Sequence, residues 1–235
     1  MMTNQNPPDQ SVASGGPDRT DRLAWPLLGA AVAFVAFYLA TDFVAPNLAS
    51  SALPRPDDPV GQVRDWYAEN QVAAVMIGVS QFLSVSFLGV FALLLPWMAR
   101  TETQHLTLKS ARTWGVAAMG LMMASSALGS LLASVAADAH LGTVDAMRTA
   151  NFVAGGTAHV AVLGIFVWMA SRAPGFGTPV RRLAAAAVGV ALLSVTSLVL
   201  TFGAVFILLG RLLCMIWTVS AAVSIVRGCR NGRWA

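Results

Sequence analysis

Between Leu183 and Val226 the chain carries a single charged residue, Arg211. One uninterrupted helix of that length would measure about 66 Å, twice the ~30 Å hydrocarbon core of a bilayer. The stretch must therefore fold back on itself. Gly203 and Gly210 bracket the expected turn. Four further apolar runs precede it: Ala24–Val44, Val72–Met98, Trp114–Ala137 and Phe152–Ala170. Together they predict an all-α polytopic transmembrane helical bundle. Six spans are expected, at about 24–45, 71–98, 113–137, 151–171, 183–202 and 208–227, joined by short loops.

Composition agrees and excludes other classes. The chain is 56% hydrophobic and 11% charged, against about 25% charged in soluble domains. Too few ionised groups remain to cover a water-facing surface. The formal charge of +4 does not mark a nucleic-acid binder, because the basic residues stand in small groups at the ends of apolar runs. The first 22 residues are rich in Pro, Gly, Ser, Asn and Asp and are read as a disordered cytosolic tail. Residues 229–235 are read as a basic cytosolic tail.

The basic residues sort by side. Arg19, Arg22, Arg100, Lys109, Arg112, Arg172, Arg181, Arg182, Arg227, Arg230 and Arg233 fall on one side. Only Arg55, Arg64, Arg148 and, at its margin, Arg211 fall on the other. The positive-inside rule makes the first side cytoplasmic. Both termini are then inside, and the expected location is a bacterial plasma (inner) membrane. Trp25, Trp97, Trp114 and Trp168 all lie at the cytoplasmic ends of their spans, where indole rings favour the interface.

Span three is crowded with small residues. Ser125, Gly129 and Ala133 recur every fourth position, as do Ser126 and Ser130. Such rows let helix backbones approach closely within lipid. Intramolecular packing is the preferred reading, with a homodimer or a membrane-protein partner as the alternative. In the first outer loop, Asp58 and Pro59 offer a helix start, and Val60, Val63, Trp66 and Tyr67 form an apolar stripe. This predicts a short amphipathic helix. An interfacial anchor is preferred over a lid.

Few polar groups lie at membrane depth, and those few favour the outer half. Gln81, His159, Arg211 and Asn151 form a candidate ligand pocket. His159 can donate and accept hydrogen bonds, and Arg211 can hold an anionic group. The competing reading pairs Arg211 with Asp42 or Asp138 and lets His159 and Gln81 bond to neighbouring helices. No catalytic, cofactor-binding or metal-binding constellation is read from the sequence. His159 has no second intramembrane histidine, and no His-Glu-x-x-His, Gly-x-Ser-x-Gly or P-loop pattern occurs. Cys214 and Cys229 lie at different depths and are not expected to pair.

The segment PDDPVGQVRDWYAENQ before span two, the small-residue third span after a basic loop, and Asp145-Ala-Met-Arg-Thr-Ala-Asn151 before span four are distinctive as an arrangement. So is the last span, which contains Trp217 and ends in a basic tail. The arrangement resembles a group of uncharacterised actinobacterial multi-pass membrane proteins. The resemblance implies six spans and carries no activity. The function expected first is non-catalytic: a membrane-complex subunit, or a binder of a lipid or small hydrophobic molecule in an outward-facing pocket. A small-solute transporter comes second. A membrane enzyme comes third, since no paired acid and base lie in the spans.

Overall fold

The computed structural model describes residues 19–55, 57–200 and 203–230. No strand occurs among them. Six helical segments are long and apolar enough to cross a membrane: Arg22–Phe43, Gln71–Met98, Glu102–Val135, Leu141–Ser171, Thr178–Leu198 and Ala204–Cys229. The chain is an all-α multi-pass membrane protein. The tail read through residue 22 lies outside the described residues up to residue 18, and Arg19–Arg22 form the first turn of α1 (Arg19–Leu48). The end of the basic tail, 231–235, also lies outside them.

Chain order becomes spatial order. Helix α1 packs on α3 (Gln71–Leu94), α3 on α4 (Glu102–Val135), and α4 on α6 (His159–Ser171). Helix α6 packs on α7 (Thr178–Leu193), α7 on α8 (Ala204–Arg230), and α8 returns to α1. The ring is therefore closed, and α6 crosses it to touch α8. Short connections favour such antiparallel neighbours. One end of the bundle carries the two termini and is called here the terminal end. The other carries two short helices, α2 (Val60–Glu69) and α5 (Leu141–Asn151), which pack on each other and form a cap.

Close packing follows from small side chains. A Cβ on Gly78 of α3 would stand 2.5 Å from Ser130 Oγ and 3.2 Å from Ser126 O of α4. A Cβ on Gly155 would collide with Ser125 on the adjoining row of α4. The two small-residue rows thus face two different neighbours, span two and span four, within one chain. Ser84 Oγ donates to Phe34 O at 2.7 Å and ties α3 to α1. On the far side, Gly164 and Gly210 both press on Ala191: their added Cβ atoms would lie 2.5 Å from Ala191 Cβ and 2.8 Å from Ala191 Cα.

Several boundaries differ from the sequence reading, each for a local reason. Helix α4 starts at Glu102, so Lys109 and Arg112 are helical rather than in a loop. Thr101 and Gln104 form a reciprocal capping box that launches it. Helix α5 continues without a break through a π-helical segment, Phe152–Ala158, into α6. The turn between the last two spans is a 3₁₀ segment, Ser194–Leu198, followed by Gly203, where a Cβ would stand 2.5 Å from Ser197 N. Gly210 lies inside α8 and serves packing instead of the turn.

The terminal half is filled by aromatic rings. Phe91 meets Phe166 edge-on at 6.2 Å, Phe166 meets Trp217 edge-on at 6.2 Å, and Phe176 leans on Trp217 at 6.0 Å. Edge-to-face contacts at these separations are favourable beyond area burial. Phe91, Phe166 and Trp217 are fully buried.

Candidate functional site

The cap half holds a cavity of about 330 Å³. Its walls come from α3, α4, the π-helical segment and α8, and its roof from the 53–55 loop and α2. The roof is pinned by one amide. Asn70 Oδ1 accepts from Ser50 N at 2.7 Å and Ser50 Oγ at 3.0 Å, and its Nδ2 donates to Trp66 O at 3.0 Å. Trp66 Nε1 donates to Ser51 O at 3.1 Å. Trp66 is buried at 4% exposure and, with Tyr67, lines the cavity. It is therefore no interfacial anchor, because its ring is spent on roofing the cavity. The Asp58 carboxylate accepts from Arg55 N at 2.7 Å and makes no cap bond to α2.

Tyr67 hydrogen-bonds Asn151. Burial raises the Tyr67 phenol above its ordinary 10.0, and the Asn151 bond partly offsets the rise. Asn151 in turn takes the Ser125 hydroxyl on its main-chain O at 3.1 Å and on Oδ1. One cavity wall is thus a continuous hydrogen-bonded line from α2 through span four to α4.

Arg211 lies seven residues into α8, about 10 Å below its start, and forms the cavity floor. Its Nη1 donates to Tyr38 Oη at 2.8 Å, and its Nη2 donates to Gly155 O. The guanidinium also sits over the Tyr38 ring, 5.1 Å from the centroid, a cation–π contact. Its Nε is buried without a partner among the described residues. Gly155 belongs to the π-helical segment, a distortion that frequently marks functional positions.

The pocket residues read from sequence separate into two sets. Gln81, Asn151 and Arg211 come together on the cavity. His159 does not join them: it is buried at 2% exposure, and its Nδ1 donates to Ala118 O at 2.8 Å on the neighbouring span. The Arg211 ion pair with Asp42 or Asp138 is corrected. Arg211 instead bonds Tyr38, one turn before Asp42 on α1, and Gly155, while the Asp42 and Asp138 carboxylates are exposed. Among the described residues Arg211 has no acidic partner. Ser125, Ser126 and Gly129 line the cavity, Ala133 packs beneath Trp66, and Ser130 faces Gly78. Sequence reasoning missed Tyr38 and Asn70. Their signal was available: each is a polar-tipped side chain at or near a span boundary.

Comparison with protein-family models, curated proteins and solved structures finds no match to this chain.

Proposed function

We propose that the protein is a non-catalytic binder that holds a small amphipathic molecule in the cap-half cavity. The observation that carries this reading is the contrast between the two halves of one bundle. The cap half has a cavity with several polar groups on apolar walls, the usual make-up of a ligand site. In the terminal half the centre of the bundle is filled by the Phe91, Phe166 and Trp217 rings, and the hollow of about 680 Å³ at that end lies between the start of α7 and the end of α8, with none of these rings on its wall. A solute entering from the cap end meets packed aromatics instead of a polar path, which favours binding over transport.

The charge distribution supports a bacterial inner-membrane protein with cytoplasmic termini, so that the cavity faces outward. The resemblance to actinobacterial multi-pass proteins is in keeping with that placement.

Cysteine accessibility tests both statements. Cys214 is buried within α8 beside the aromatic core, and Cys229 lies at the terminal end. In a Cys229→Ser background, Gln81→Cys reacts with a membrane-impermeant maleimide added outside intact cells, while Cys214 stays unreactive from either side. Labelling of Cys214 from the cytoplasmic side would favour a transporter with alternating access. Labelling of Gln81→Cys only in inverted vesicles would reverse the orientation.

A further inference from the structure

We propose that the cavity selects an anionic amphiphile, with its carboxylate or phosphate seated on Arg211 and its apolar body along Ile77, Met122 and Ile207. The inference rests on the binder reading above and deepens it to a ligand class.

Charge carries the argument. A guanidinium is ionised under all ordinary conditions. Arg211 nonetheless sits within a membrane span, where an ionised group requires a counter-charge or an extensive set of acceptors. Its known partners, Tyr38 Oη and Gly155 O, are neutral. They satisfy two donor sites and leave the charge uncompensated. The buried Nε has no acceptor among the described residues. Among the described residues no Asp or Glu lines the cavity, whereas Arg55 and Arg148 also border it. Arg148 is already neutralised by Asp145 at 2.6 Å. The net field inside is therefore positive, and it is concentrated at the floor.

A second observation points the same way. Gln81 lines the cavity from α3, well inside its span, yet its amide makes no hydrogen bond to a described residue and is open to the cavity. An amide there can donate to a second oxygen of an anion held on Arg211. Carboxylates and phosphates present at least two such oxygens, and they pair with guanidinium groups through charge-assisted bonds. The remaining wall is apolar, and the volume of about 330 Å³ lies at the small end of ligand cavities. A compact single-chain acid matches both.

The experiment uses the full chain in phosphatidylcholine nanodiscs and reads quenching of Trp66, the roof indole, by 8-bromooctanoate and by 8-bromooctanol. Trp66→Phe supplies the background from the other tryptophans. The expected result is saturable quenching by both probes, with the acid bound at least about tenfold more tightly than the alcohol. Arg211→Gln removes that preference and leaves the alcohol unchanged, and Arg211→Lys keeps part of it. The acid-against-alcohol comparison in the unaltered protein stands even if the Arg211 variants fail to fold. Equal binding of acid and alcohol overturns the anion site while the cavity reading survives. No saturable quenching by either probe overturns both. Competition by phosphatidylglycerol placed in the nanodisc supports the anion site and assigns its occupant to the bilayer. Competition by free octanoate but not by phosphatidylglycerol supports it and assigns the occupant to a free acid.

Discussion

At the scale of single residues, glycine position separates two kinds of helix face. Gly210 approaches the backbone of Ala191, so that an added Cβ would lie 2.8 Å from its Cα and 3.1 Å from its N. Backbone atoms inside a helix cannot step aside, and the two spans must separate. Gly189, on α7, has nothing within 4 Å of its added Cβ and is exposed on the bundle exterior. Gly210→Ala is therefore expected to destabilise the bundle by about 1–3 kcal/mol, the usual range for overpacking. Gly189→Ala is neutral or slightly stabilising, through helix propensity. Unfolding of each variant in mixed micelles checks the pair; equal effects would mean that α7 and α8 do not meet closely at Gly210. The sequence showed both glycines but not which one faces a neighbour. Arg211 illustrates the same limit. Its presence inside an apolar run was legible, and so was its cationic chemistry. Its partners were not, because Tyr38 and Gly155 meet it only once α1 and span four are packed.

At the scale of elements, the apolar runs were long enough that span number and type were legible. What was hidden is how helices extend past the membrane. Residues 138–150 read as a loop, since their mixed polarity gives no membrane signal, yet most of them form α5, buttressed by α2 and α4. The stripe that predicted α2 was sound, but its anchoring depends on a residue outside the helix. Asn70 holds Ser50 and Trp66 together and is buried at 5% exposure. Asn70→Ala removes the acceptor of the Ser50 N–H and hydroxyl, and a lost part-buried bond of this kind costs about 0.5–1.5 kcal/mol. That loss falls on the roof rather than on the spans. Trypsin is thus expected to cleave after Arg64 several-fold faster in Asn70→Ala than in the parent, with the six-span core still folded. Unchanged cleavage would show that the roof is held by Trp66 and α5 alone.

At the scale of the whole molecule, the centre of the six-helix ring is hollow toward the cap and filled by aromatic rings toward the termini, and Trp217 is the residue on which the filled half turns. It lies at 0% exposure, in edge contact with Phe166 and tilted against Phe176. Its indole Nε1 is buried without a hydrogen-bond partner among the described residues. The ring therefore contributes through volume and edge contacts, while its polar atom is a cost. Those two properties predict opposite responses to two substitutions. Trp217→Phe keeps an aromatic edge and removes the unpaired donor, so lost volume and relieved desolvation offset each other within about 1 kcal/mol. Trp217→Ala empties the junction of α6, α8 and the 172–177 loop and is expected to cost about 3–5 kcal/mol. Equilibrium unfolding of both variants in mixed micelles measures the difference. Removal of the plug should also expose Cys214, which lies one helical turn away on α8, to thiol reagents from the terminal end. If Trp217→Phe proves as damaging as Trp217→Ala, the indole N–H has a partner in the membrane, and the terminal half is less dry than its packing implies.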